Sequence, residues 1–88
     1  MTEADLTGAD LRGALASDAV LTGAILAHSD ATDAVMERAD FRGADFTGAN
    51  LTRAGLAEAL LQGARLDGAT LTDARLAGAI MPDGAIAP

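Results

Sequence analysis

A repeat of five residues runs through nearly the whole chain and constrains the fold more than any other feature of the sequence. From Ala4 to Pro88 the chain divides into seventeen five-residue units, and the third residue of every unit, which we call its centre, is apolar. Alanine stands two residues before the centre in fifteen of these units; the exceptions are Ser29 and Gly84. We therefore divide the chain into a short leader, residues 1–3, and one repeat domain, residues 4–88.

A five-residue period excludes both an α-helix and an uninterrupted strand. In a helix each residue advances by about 100°, so the centres would scatter around the cylinder, and interior glycines would destabilise it. In a strand an odd period would move the apolar side chains to the other face at every unit. A short extended piece followed by a corner fits, because the alanine and the centre are two residues apart and point the same way. The sequence therefore predicts an all-β coil.

Glycine marks most of the predicted corners. Eight of the ten glycines occupy the last position of a unit, where a type II turn that begins at the centre requires a positive φ. The corners that end in Asp18, Arg38 or Glu58 lack glycine, and we expect type I turns there. Near the carboxyl end, Pro82 is expected to remove a hydrogen-bond donor from the ladder, and residues 85–88 are expected to stop the stack.

Four runs of the sequence resemble the pentapeptide-repeat proteins: residues 4–8 (Ala-Asp-Leu-Thr-Gly), 9–13, 44–48 and 49–53. The resemblance covers residues 4–88. It implies a right-handed quadrilateral β-helix, an all-β solenoid of about four coils with four pentapeptides in each, so that residue n lies beneath residue n + 20. On that stacking the centres form four inward columns, one of which is Leu6, Leu26, Phe46, Leu66 and Ile86. Ala16 and Ala31 are expected to leave their layers underfilled. The predicted core centres are Leu6, Leu11, Leu26, Met36, Phe41, Phe46, Leu51, Leu56, Leu61, Leu66, Leu71 and Leu76.

The sequence gives no strong signal for catalysis. His28, Ser29 and Asp30 are adjacent, but the repeat places Ser29 inward, His28 at a corner and Asp30 outward, so we do not expect a nucleophile, its base and an orienting group to converge. With one histidine and no cysteine, the chain has no thiolate zinc site, and no phosphate-binding loop is present. We therefore expect no enzyme activity, no cofactor and no metal.

The charge of the chain bears on its partners and its location. A net charge of −7 argues against direct binding to nucleic acid. No apolar run approaches the roughly 20 residues that span a bilayer, and no basic segment suggests a secretory signal, so we expect a cytoplasmic protein.

Some pentapeptide-repeat proteins that confer fluoroquinolone resistance resemble B-form DNA and bind gyrase. The outward Asp5, Asp10, Asp30, Asp40 and Asp45 make such a topoisomerase-binding DNA mimic the alternative function, although the acids are spread over all faces.

Aliphatic residues occupy the outward position just before the centre in six units, where the family usually has aspartate or asparagine: Leu15, Val20, Ile25, Val35, Leu60 and Ile80. Five of them fall on two neighbouring faces and form the candidate interface, Leu15, Val20, Val35, Leu60 and Ile80. The open alternative is that small aliphatic side chains simply cover a β wall. The sequence thus indicates a non-catalytic structural or protein-interaction module with an unidentified protein partner. We expect a homo-oligomer, formed through this surface or through an amino-terminal end that residues 1–3 are not expected to cap.

Overall fold

The backbone pairs with itself every twenty residues. The computed structural model describes residues 3–88; Met1 and Thr2 of the predicted leader lie outside the described residues. Residues 3–88 contain no helix and no continuous strand, but single-residue parallel bridges join positions twenty apart, from Asp5 with Ile25 to Leu60 with Ile80. The coils comprise residues 4–23, 24–43, 44–63 and 64–83. Within the described residues there is accordingly no helix of the length and apolarity that crossing a membrane requires.

Each coil has four sides, and the bridged residues define four faces. Each face is named by its outward residues, in order from the first coil to the fourth. Face 1 carries Asp5, Ile25, Asp45 and Arg65; face 2 carries Asp10, Asp30, Asn50 and Thr70; face 3 carries Leu15, Val35, Gly55 and Arg75; face 4 carries Val20, Asp40, Leu60 and Ile80. The twenty-residue, four-sided coil expected from the family resemblance is therefore present.

The hydrogen bonds of one unit explain the residue preferences of all of them. In residues 44–48, the amide of Asp45 donates to the preceding coil at 2.9 Å, and the amides of Phe46 and Gly48 donate to the next coil at 2.7 and 2.9 Å. The amide of Ala49 closes the turn by donating to the carbonyl of Phe46 at 2.9 Å. The amide of Thr47 donates instead to Oδ1 of Asp45, at 2.9 Å. An aspartate or asparagine before the centre thus satisfies the one amide that the ladder leaves over.

The corners without glycine have the same geometry as those with it. Asp18, Arg38 and Glu58 have φ values of 64°, 62° and 61°, so the predicted type I turns are wrong and type II turns are found. The amide of the last residue in each of these units donates to the coil above; that of Asp18, for example, lies 2.9 Å from the carbonyl of Glu37. Because stacked corners share these bonds, each corner adopts the conformation of its neighbours despite the cost of a left-handed backbone.

The core lies in the middle two coils. Among the predicted centres, seven are at most 2% exposed: Leu26, Met36, Phe41, Phe46, Leu51, Leu56 and Leu61. The rings of Phe41 and Phe46 meet edge to face, with centroids 4.9 Å apart. Leu6, Leu11, Leu66, Leu71 and Leu76 pack against this core but are only partly buried, because each lies in an end coil with a described neighbour on one side.

The last residues of the chain leave the coil and turn back on it. The amide of Met81 donates to the carbonyl of Ala85 at 2.7 Å, the amide of Ala87 donates to the carbonyl of Ala79 at 2.9 Å, and Ile86 bridges Ile80 in antiparallel orientation. Ile86 is 70% exposed, so the predicted stacking of this residue on Leu66 is wrong. The fold-back covers the open edge of face 4 at the carboxyl end of the rod.

Pro82 does not interrupt the ladder, contrary to expectation. It occupies the unit position whose amide has no backbone acceptor in the other units, so the missing N–H removes no inter-coil bond. Proline is also favoured at the second position of a turn that starts at the centre, here Met81.

The shared corner geometry predicts opposite effects for two neighbouring glycine substitutions. Glu58→Gly should raise the free energy of unfolding by about 0.5–1 kcal/mol, because it removes a side chain from a left-handed backbone position. Ala57→Gly, one residue earlier and at ordinary φ, should lower it by a similar amount through the added freedom of the unfolded chain. Urea unfolding of both variants beside the parent measures the difference, and two changes of the same sign would contradict a type II corner at this position.

Candidate interaction surface

The predicted interface residues differ widely in exposure. Leu15 is 85% exposed, Val20 is 52% exposed and Val35 is 37% exposed, whereas Leu60 and Ile80 are half-buried. Leu15 and Val35 are bridged neighbours on face 3, and Val20 lies around the next corner in the same coil. The amino-terminal half of the rod therefore carries the more exposed aliphatic surface, formed by these three residues.

Asp40 separates this surface from the rest of the predicted interface. On face 4 it lies between Val20 and Leu60, and its carboxylate accepts bonds from the Arg42 guanidinium at 2.7 and 2.9 Å. Those bonds hold the pKa of Asp40 below its usual value, so an ionised pair interrupts the column. The structure thus divides the predicted interface into two patches, and Ile86, which the sequence placed in the core, joins Leu60 and Ile80 in the second.

Two charged columns border face 3. At the corner before it, Arg53 donates to Asp33 at 2.8 and 3.2 Å. At the corner after it, Arg38 donates to Asp18 at 2.9 and 3.3 Å. These bonds lower the pKa of both aspartates and raise that of both arginines. Asp73 continues the first column and Glu58 the second. The alternation of charge between coils supports the observed stacking.

Glu37 covers the middle of face 3. Its carboxylate occupies the space where a Cβ at Gly55 would lie, and the hydroxyl of Ser17 is 3.4 Å from its Oε1. Gly55 is buried for this reason. A side chain at position 55 would displace Glu37, so the small residue and the folded-over carboxylate belong to one arrangement.

An apolar cavity of about 310 Å³, partly open to solvent, is lined mostly by residues of the first coil. Val20 takes part both in this cavity and in the exposed aliphatic surface. Ala16, at a centre position, is too small to fill its layer, as the sequence predicted, whereas Ala31 is 1% exposed and does not line the cavity. The lining residues are Leu6, Leu11, Ala14, Ala16, Ala19, Val20, Leu21, Leu26 and Met36.

The residues considered for catalysis do not converge. Ser29 is 2% exposed, and its hydroxyl donates to the carbonyl of Leu26 at 2.7 Å. His28 is exposed and packs over Gly48, away from the core. Asp30 accepts the hydroxyl of Thr32 at 2.6 Å. Each group therefore has a local structural role, and among residues 3–88 no cluster of three or more histidine, aspartate or glutamate side chains could hold a metal ion.

Two aspartates stack directly on face 2 without strong repulsion. Arg12 donates to Asp10 at 2.9 Å through both Nε and Nη2, and these bonds lower the pKa of Asp10 to about 2. Asp30 accepts the backbone amide and the hydroxyl of Thr32 at 3.1 and 2.6 Å, which lowers its pKa as well. Each carboxylate is thus stabilised by its own unit rather than by its neighbour.

Filling the cavity should stabilise the fold. Ala16→Leu is expected to raise the free energy of unfolding by about 1 kcal/mol, because it buries additional methyl and methylene groups in existing space. Ala31→Leu, at a buried centre that does not itself line the cavity, serves as the matched control and should gain less. Thermal unfolding of the two variants measures this, and an equal or larger gain for Ala31→Leu would contradict the assignment of the empty space to Ala16.

The low pKa of Asp10 predicts how this residue contributes to stability across pH. Because its pKa in the folded chain lies below the unfolded value of about 3.9, its stabilising contribution is present above pH 4 and is lost as the pH falls towards 2. Arg12→Ala should raise this pKa, since the side-chain bonds from Arg12 are the largest cause of the shift. Carbon-detected NMR titration of the Asp10 carboxyl measures both values, and an unchanged pKa in the variant would contradict this cause.

Comparison with protein families identifies the repeat. The Pentapeptide repeats family matches the chain in 8 copies, over residues 1–38, 26–56 and 49–83. A search of curated proteins found no match.

Solved structures show the same architecture. A pentapeptide repeat protein from Nostoc PCC 7120 is 35% identical with a TM-score of 0.86, and the match covers 88% of this chain and 64% of that one. HetL from Nostoc sp. strain PCC 7120, involved in heterocyst differentiation regulation, is 34% identical with a TM-score of 0.55, over 99% of this chain and 51% of HetL. A thylakoid-lumen pentapeptide repeat protein of Arabidopsis thaliana, 22% identical with a TM-score of 0.51 over 98% of this chain and 67% of that one, shares the fold.

This chain thus spans 64% and 51% of the length of the two Nostoc proteins. The solved relatives are right-handed quadrilateral β-helices, as the four-sided coil with its twenty-residue bridges is here. Since the family matches extend over residues 1–83, the chain belongs to the pentapeptide-repeat family.

Proposed function

We propose that this chain is a non-catalytic protein-interaction module that self-associates through the exposed aliphatic surface of its amino-terminal half. The observation that carries the proposal is the 85% exposure of Leu15 beside Val20 and Val35. At these three positions the unit lacks the aspartate that accepts the corner amide in residues 44–48. The substitutions therefore give up a hydrogen bond within the fold and place an aliphatic group in water.

The placement of these aliphatic residues on the rod supports an interface rather than the alternative that they simply cover a β wall. Leu15 and Val35 stack directly on one face and form one apolar area, whereas Val20 lies on face 4, beyond the Asp18–Arg38 pair at the corner. A contiguous area of this kind is typical of an interaction site, whereas scattered surface aliphatics need no explanation. Leu60, Ile80 and Ile86 form a second patch, but two of them are half-buried, so they offer less surface to a partner.

Similarity to HetL supports a binding role. HetL is involved in heterocyst differentiation regulation, and the proposed binding role is one way in which a repeat protein of this fold could act in regulation. Since this chain matches only 51% of HetL, we carry over the general mode of action and not its partner.

The DNA-mimic alternative stays a prediction. Asp10, Asp18, Asp33 and Asp40 each accept an arginine within 3.0 Å, so positive charge interrupts the outward negative charge at these positions. A phosphate-like array needs unpaired charge along one line, and the interaction module is therefore the function that the geometry supports better. Inhibition of DNA supercoiling by gyrase on addition of this protein would favour the alternative.

Self-association is tested with one substitution and a matched control. The parent should form a reversible oligomer between about 10 µM and 1 mM, and Leu15→Asp should weaken it at least about 10-fold, because a charge replaces apolar contact. Thr70→Asp adds the same charge at the same unit position on face 2 and should leave self-association unchanged. Sedimentation equilibrium measures all three proteins, and three identical monomers over the whole range would rule the proposal out.

A further inference from the structure

Face 3 carries opposite charges at its two corners in each of the middle coils. In the second coil, Asp33 precedes the face and Arg38 follows it; in the third coil, Arg53 precedes it and Glu58 follows it. The order of the charges therefore reverses from one coil to the next. Both arginines already bond to an acid of the coil below, so their guanidinium groups are held along the borders of the face.

This pattern complements itself under one simple symmetry. When two rods lie side by side and parallel, a two-fold axis along the rod places the corner that precedes face 3 in one copy against the corner that follows it in the other, at the same height. Asp33 then faces Arg38 of the second copy, and Arg53 faces Glu58 of the second copy. The symmetry repeats each contact, which gives four attractive pairs around the interface.

The same arrangement brings the apolar residues of face 3 together. Leu15 meets Leu15 of the second copy in the first coil, and Val35 meets Val35 in the second. Both side chains are exposed in the single chain, at 85% and 37%, so both have apolar surface left to bury. We propose that face 3 is the self-association surface and that two copies pair through it in parallel about a two-fold axis along the rod. This inference rests on the proposed function and specifies its geometry.

The apolar contacts favour the parallel dimer over an antiparallel one. An axis across the face, between the second and third coils, would also match the charges, with Asp33 against Arg53 and Arg38 against Glu58. It would, however, place Leu15 against Arg75. Exposed ion pairs contribute little to affinity in water, whereas burial of aliphatic surface is consistently favourable, so the pairing that joins Leu15 to Leu15 is preferred.

Two features limit the strength of this dimer. Arg75 faces its own counterpart in the fourth coil, and the Glu37 carboxylate, which lies over Gly55 in the middle of the face, faces its own counterpart as well. These like-charge contacts oppose the four attractive pairs. A quarter of the accessible surface of 4435 Å² is about 1100 Å² per copy, and one face of four offers less than this, so the interface is at most about the standard size for protein complexes. We therefore expect a reversible dimer that forms at high concentration and weakens as salt is added.

A charge-reversal pair tests the geometry. Arg38→Glu alone and Asp33→Arg alone should each weaken self-association about 10-fold at low salt, because like charges then face each other across the interface. An equimolar mixture of the two variants should restore it, since in the mixed dimer every reversed charge meets an opposite one. In the antiparallel arrangement the mixture would stay weak, because Arg53 would face the new arginine at position 33. Sedimentation of the single variants and of the mixture decides between them.

Single cysteines give a second measurement, since the chain has none of its own. Under mild oxidation Leu15→Cys and Arg75→Cys should each cross-link with themselves at least about 10-fold faster than Arg65→Cys, which lies on the opposite face 1. A mixture of Leu15→Cys and Arg75→Cys should give little mixed dimer by mass spectrometry. Predominant mixed dimer, or no rescue by the charge-reversed mixture, would overturn the parallel pairing while leaving self-association in place. Absence of any dimer in the parent would instead overturn the proposed function.

Discussion

Backbone hydrogen bonds between residues twenty apart are the constraint on which the rest of this structure depends. In residues 44–48, four amides of the unit go to fixed backbone acceptors, and the fifth goes to the side chain of Asp45. A unit of any other length would break this pattern in every coil at once. The ladder therefore explains three features of the repeat. The alanine keeps the wall narrow, each side has room for one large centre, and the residue before the centre supplies the acceptor for the remaining amide.

The same ladder lets the fold tolerate other residues at the outward position before the centre. Leu15 and Val35 keep their backbone bridge although they lack a carboxylate, so such a replacement costs one side-chain hydrogen bond and leaves the coil intact. The fold therefore tolerates a residue other than aspartate or asparagine at this position, and such a residue can indicate a role outside folding. The exposed aliphatic replacements, such as Leu15, Val20 and Val35, lie on the amino-terminal half of the rod, and they distinguish this part of the surface although the fold itself is nearly the same on all four sides.

The period predicted the twenty-residue columns once the family resemblance supplied the four sides, because inward and outward positions follow from spacing alone. The turn type predicted from local residue preference was wrong at the corners that end in Asp18, Arg38 and Glu58. These corners lack glycine, yet the bonds to the next coil impose a left-handed backbone there. Spacing also failed at Ile86, which keeps the interval of a centre but follows a corner that turns the chain back. The position of Asp40 between Val20 and Leu60 and the small residue Ala16 at a centre both follow from the spacing. The bonds from Arg42 to Asp40 and the position of the Glu37 carboxylate over Gly55 could not be derived in this way, because they depend on side-chain conformations.

Stacking at a fixed interval has a further consequence for recognition. Charges at the corners lie in straight columns. Arg38 and Arg53 therefore each have an acid below them in their own rod and, in the proposed face-to-face pair, another acid across the interface. Arg38 bonds Asp18 in its own chain at 2.9 Å, which holds the guanidinium in place before any partner arrives and reduces the side-chain entropy lost on binding. In the proposed parallel dimer, apolar contact at Leu15 would supply affinity, and the charge order at the borders would select the orientation. A repeat that appears uniform along its backbone can in this way encode one specific arrangement through a few side chains at its edges.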